Sequence, residues 1–177
     1  ASFEAILQSA IRFIDKYETK EFLFFGRSAG AFLAFHVAQF HRPKGIISFY
    51  GYMLNDTEWV DSPSQHYNQY PPITIDFNHL KERFALYIHL RQTGTWRTFI
   101  QYHHQCHPNP NIPVFIWHSL FDPDVPYHEA RAIQSYFKDT TLHTALLHEH
   151  EIDIKHWDQI KTELIRFIKK VEDGNDT

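Results

Sequence analysis

The chain has 177 residues, near the size of one ordinary domain, and its 43% hydrophobic and 21% charged residues support a packed core rather than extended disorder. A formal charge of −4, from 17 basic against 21 acidic residues, offers no basic stripe for a phosphate backbone, which argues against nucleic acid as a partner. No apolar run is long enough to span a membrane, the N-terminus lacks signal-peptide order, and the single cysteine, Cys106, allows no internal disulfide, all compatible with a cytoplasmic protein.

The elements expected from pattern alternate in type. Phe3, Ile6, Leu7, Ala10, Phe13, Ile14 and Tyr17 recur at three- and four-residue steps, the stripe of an amphipathic helix. Glu21 to Phe25 is a short apolar run bounded by Gly26 and is expected to be a strand buried on both faces. Ala29 to Gln39 follows as a helix whose Ala31, Ala34 and Ala38 permit close approach to a sheet, and Pro43 ends the pattern. Gly45 to Tyr50, Ile112 to His118 and Leu142 to His148 read as three further strands. A helix from about Pro126 to Lys138 separates the last two, and a final helix carries Trp157, Ile160, Leu164, Ile168 and Val171 on one face. This order predicts an α/β protein, a three-layer α/β/α sandwich with a mostly parallel sheet.

Residues 52 to 111 break the rhythm. They begin with turn chemistry (Asn55-Asp56, Asp61-Ser62-Pro63, Pro71-Pro72) and continue into a helical stretch from about Phe77 to Gln105, nicked at Gly94. A structureless loop of that length does not suit a compact domain, so the segment is expected to be a cap inserted into one domain whose core is 1–51 and 112–172. Trp59, Tyr67, Tyr70, Phe84, Tyr87, Trp96 and Phe99 within it either line an apolar pocket or pack the cap onto the sheet. The tail from Glu172 to Thr177 is expected to fray.

Gly26-Arg27-Ser28-Ala29-Gly30 fits Gly-x-Ser-x-Gly between a strand and a helix, where a serine hydroxyl is held on a strained turn at the C-terminal end of a sheet. Both glycines are expected to be required, because side chains there would collide with the neighbouring strand and helix. The helix start supplies a favourable dipole, and the amide of Ala29 is placed to receive an oxyanion. A serine becomes a useful nucleophile only when an imidazole takes its proton and a carboxylate fixes that imidazole, so both partners are sought downstream. Asp122 stands on the turn beyond the Ile112 to His118 strand, whereas Asp124 has an alternative explanation as an N-cap. Among the histidines beyond the last strand, His150 ranks first, then His156, expected to open the final helix, then His148, expected to lie within the strand.

FLFFGRSAG, the FDPDVP turn and the EHEID segment together resemble the α/β-hydrolase superfamily, and more narrowly bacterial esterase and lipase-like hydrolases related to the hormone-sensitive-lipase group. The resemblance runs from Ala1 to about Val171, and Glu151-Ile152 stands where such enzymes usually carry Gly-Phe after the histidine. It implies cofactor-free hydrolysis of a small-molecule carboxylic ester through an acyl-enzyme on Ser28. Members begin with several further strands and a His-Gly-Gly-type loop that completes the oxyanion hole, so the chain is expected to be the C-terminal part of a longer protein or a shortened relative. A non-catalytic binding module, or a peptidase or thioesterase with the same triad, are the competing readings, and a homo-oligomer is left open. His103, His104 and His107 beside Cys106, or His148 with His150, would suggest a metal only weakly, because neither HExxH nor Cys-x-x-Cys spacing is present.

Overall fold

A computed structural model describes residues 2–17, 21–53, 106–122, 125–146, 150 and 154–174, with the backbone alone for 154–156 and 159. Most of the expected cap, with all seven of its aromatic residues named above, lies outside the described residues, as do Asp124, His148, His103 and His104. The described residues on either side of that segment pack with the sheet: Met53 and Cys106 join the cluster beneath it, and Tyr52 stacks on Phe32.

Helix α1 (Phe3–Asp15) starts where Ser2 accepts a hydrogen bond from the Ala5 amide at 3.3 Å, and its apolar stripe buries Phe3 and Leu7. Strand β1 (Leu23–Arg27) leads through Ser28 into helix α2 (Ala29–Val37). Helix α2 is apolar around nearly its whole circumference because α1 covers one side and the sheet the other. Strands β2 (Gly45–Phe49) and β3 (Val114–Ser119) are buried throughout, as an apolar run without alternation predicts. Helix α3 (Tyr127–Tyr136), strand β4 (Thr140–Ala145) and helix α4 (Ile154–Asp173) complete the described elements.

The four strands pair in the order β1-β2-β3-β4, all parallel. Alternation along them sorts the core into two layers. Ile46, Val114 and Ile116 face α2 and α3, while Ile47, Phe49, Phe115 and Trp117 face Ile160, Phe167 and Val171 of α4. Each fully buried aromatic or aliphatic side chain contributes about 1.5–3 kcal/mol, and these two layers hold most of them. Parallel strands end on the same side, so the loops after β1, β2, β3 and β4 gather at one edge of the sheet.

Two expectations need correction. Strand β1 is not buried on both faces: it borders the described sheet, and Phe25 is 57% exposed with Phe49 against one side of its ring. Helix α3 begins at Tyr127 with Pro126 at its N-cap, close to the expected start, and proline's fixed φ presets the helical entry. Strand β4 begins and ends earlier than expected, its first two positions being Thr140 and Thr141, β-branched side chains that suit a partly exposed edge.

Glu129 of α3 ties the stretch after β2 to the helix layer. Its carboxylate is fully buried and accepts the Met53 amide at 3.0 Å. Glu129→Ala is expected to lower stability by about 1–3 kcal/mol, because it strands a buried N–H. Urea unfolding checks this, and an unchanged midpoint would mean that the amide finds another acceptor.

Candidate active site

The elbow between β1 and α2 is strained at one residue. Ser28 has φ 49° and ψ −122°, a region sparsely populated by side-chain-bearing residues, at a cost of about 1–3 kcal/mol. The surroundings hold it there: its amide donates to the Phe49 carbonyl at 3.0 Å, and its carbonyl accepts from the amides of Ala31 at 3.0 Å and Phe32 at 3.4 Å.

Gly26 makes that geometry possible. A Cβ at this position would sit 2.4 Å from the Ala31 Cα and 2.5 Å from the Gly30 carbonyl oxygen, both backbone atoms that cannot move aside. Gly30 differs from expectation, since a Cβ there would meet nothing within 4 Å. The second close-approach glycine is Gly51, where a Cβ would come within 2.4 Å of both the Ala31 Cβ and the Ser48 Oγ. Its place just beyond β2, opposite the start of α2, gives it no motif in the sequence.

The three residues expected to cooperate are brought together. His150 Nε2 lies 2.9 Å from the Ser28 Oγ, and its Nδ1 lies 2.8 and 3.0 Å from the two oxygens of Asp122. Both contacts are hydrogen bonds by distance, and a carboxylate at Nδ1 fixes the proton there, leaving Nε2 as an acceptor toward the serine. Asp122 is 2% exposed, and its Oδ1 also accepts the Val125 amide at 2.9 Å. The Ala29 amide occupies the first position of α2, among the donors that a helix cannot satisfy internally. His156 falls within α4, and its side chain is not among those described.

Two further residues press on this constellation. Tyr50, 2% exposed and with φ 40°, packs its ring 4.6 Å from the His150 ring, and its hydroxyl accepts the Arg27 Nε–H. The Arg27 guanidinium carbon also lies 5.4 Å from the Tyr50 ring centroid, a cation–π arrangement. His118, in β3, is fully buried, and its Nε2–H donates to the Val125 carbonyl at 2.9 Å. Burial is the main cause pulling the His118 pKa below the usual histidine value, while the nearby Asp122 opposes that shift.

The lowered pKa has a sign for stability. As pH falls below about 6.5, the unfolded chain takes up a proton at position 118 that the folded chain resists, so stability drops. Above that pH the group is neutral in both states and adds no slope. Urea unfolding from about pH 5 to 8 is expected to show a weaker acid loss in His118→Gln than in the parent. Equal slopes would contradict the assignment.

Burial pushes the Cys106 thiol up to about 12, and the backbone amide of His107 donates to the Gln39 Oε1 at 2.8 Å. Among the described residues no group of three His, Cys, Asp or Glu side chains is arranged to hold a metal, and no helix is long and apolar enough to cross a membrane.

A parallel sheet flanked by helices, with a serine on the strained turn after one strand and a histidine and an aspartate from later turns against it, defines the class: an α/β protein of hydrolase architecture. Among solved structures, the chain is similar to a protein of unknown function from Staphylococcus aureus subsp. aureus Mu50, with TM-score 0.65 and 22% identity over 97% of this chain and 74% of that one. It is also similar to MGS-MChE2, an α/β hydrolase enzyme from the metagenome of sediments of the Mar Chica lagoon, Morocco (TM-score 0.66, 15% identity, 97% of this chain and 71% of that one). The monoacylglycerol lipase of Paleococcus ferrophilus gives TM-score 0.60 and 13% identity over 93% of this chain and 76% of that one. No protein-family model and no curated protein matches the sequence. The chain has the α/β-hydrolase fold.

Proposed function

We propose that the protein is a serine hydrolase that cleaves carboxylic esters of small or medium acyl and alcohol groups through an acyl-enzyme on Ser28. The observation that carries this reading is the position of His150, within hydrogen-bond reach of the Ser28 Oγ on one side and of the Asp122 carboxylate on the other. A solved α/β hydrolase and a solved monoacylglycerol lipase with the same fold are in keeping with it.

The chemistry follows from the geometry. The Ser28 oxygen attacks the ester carbonyl carbon while His150 Nε2 takes the hydroxyl proton, and Asp122 steadies the imidazolium that results. The carbonyl oxygen becomes an oxyanion facing the Ala29 amide. When the tetrahedral carbon collapses, the alcohol departs with the proton from His150, leaving the acyl group on Ser28. Water then repeats the sequence, giving up its proton to His150 and releasing the acid.

Ester, thioester and peptide substrates with one shared acyl group separate the chemistries open to this triad. The ester is expected to turn over fastest. A faster thioester or peptide would reassign the substrate class while keeping the machinery, and no turnover of any of them by the full natural chain would favour a binding module.

A further inference from the structure

The strand that leads into the acid turn carries a second imidazole that the reaction above does not use. His118 closes a ring of contacts around Asp122: its Nε2–H donates to the Val125 carbonyl at 2.9 Å, and the Val125 amide donates to the Asp122 Oδ1 at 2.9 Å. The same Nε2 lies 3.6 Å from Oδ2, the oxygen nearest His150. Both side chains are fully buried.

These contacts dictate the form of the ring. A carbonyl only accepts, so the Nε2 of His118 must carry the proton. Among the described residues its Nδ1 is buried without a hydrogen-bond partner, so a second proton there would be a buried donor that none of them meets. The groups facing it are Asp122 on its own turn, His150 from the loop after β4, and His128 with the Tyr127 ring from α3. Two of these are imidazoles that would repel a cation at position 118.

We propose that His118 is a positioning residue: an imidazole that donates from Nε2 to the Val125 carbonyl, so locking the turn bearing Asp122 and leaving the carboxylate's charge to His150 alone. A charged ring at this place would compete for Oδ2 and weaken the hold on the base. This rests on the reading of Ser28, Asp122 and His150 as a catalytic triad.

The tests use two substitutions in the full natural chain. His118→Phe keeps a ring and removes the donor, whereas His118→Gln keeps an N–H at nearly the reach of Nε2. His118→Phe is expected to lower kcat about tenfold to a hundredfold with KM within about twofold, the scale of a misplaced catalytic group. Its kcat/KM profile is expected to have an acid limb shifted to lower pH, because a loosened carboxylate steadies the imidazolium less. His118→Gln is expected to restore both. Equal impairment of the two variants, or a Phe variant with unchanged kcat and acid limb, would overturn the proposal. Nitrogen NMR of the parent gives a readout independent of turnover: Nε2–H with bare Nδ1 is expected across the acid range in which free histidine charges. A protonated His118 at mildly acidic pH would overturn the proposal even in an active enzyme. A parent that neither turns over esters nor reacts at Ser28 would instead remove the triad reading itself.

Discussion

Asp122→Asn is expected to lower kcat about 10⁴-fold while leaving KM and the fold nearly unchanged. The asparagine oxygen can still accept the Val125 amide that Oδ1 now accepts, so the turn has reason to survive. What changes is the nearer of the two atoms facing His150 Nδ1, Oδ2 at 2.8 Å against Oδ1 at 3.0 Å in the parent. An amide nitrogen there donates, forcing the imidazole to carry its proton on Nε2, where it points at Ser28 and cannot receive one. Steady-state kinetics with a chromogenic ester check this, with circular dichroism to verify folding. A loss of only a few fold would mean that Asp122 does not set the tautomer of the base, and the triad reading would then lack its third member.

The next largest effect separates two glycines that the motif treats alike. Gly26→Ala is expected to destabilise the fold by about 3 kcal/mol or more, because the added carbon would overlap backbone atoms of α2 at 2.4–2.5 Å. Relief would require α2 to move away from β1, carrying Ser28 with it, so activity is expected to fall together with stability. Gly30→Ala is expected to stay within about 1 kcal/mol of the parent, on the stabilising side, since the position is helical and open. Thermal unfolding of the two variants side by side provides the comparison. A Gly30→Ala protein as damaged as Gly26→Ala would contradict this elbow geometry.

The legibility of this chain followed the range of the interactions. Strands β2 and β3 could be read because uninterrupted apolar runs have few alternatives, and α2 because its small residues and the preceding glycine announce a tight turn. Ser28, Asp122 and His150 could be singled out because each sits just after a strand, and parallel strands deliver such positions to one edge. The edge strands were harder. Burial of β1 was overestimated since sequence pattern reports an apolar run, not the number of neighbours it finds. His118 lies inside the apolar run of β3, and a histidine on the same face as Val114 and Ile116 is a polar signal that an apolar pattern alone does not weigh. Tyr50 offered none, because its strained backbone and its contact with His150 depend on where the later loop returns. Gly51 became meaningful only when Ala31 and Ser48 were seen beneath it.

The site joins stability and chemistry through shared atoms. The Val125 backbone meets both Asp122 and His118, and Tyr50 touches His150 while its hydroxyl receives Arg27. A strained serine is tolerable where such contacts fix its neighbours, and on the proposed reading they hold Ser28, Asp122 and His150 in place before substrate arrives.

Reaction of the full natural chain with a fluorophosphonate, followed by mapping of the adduct, tests the central claim most directly. The account predicts one adduct, on Ser28, formed quickly by the parent, far more slowly by His150→Ala, and not at all by Ser28→Ala. An adduct on another residue, or a folded parent that remains unlabelled, would contradict it.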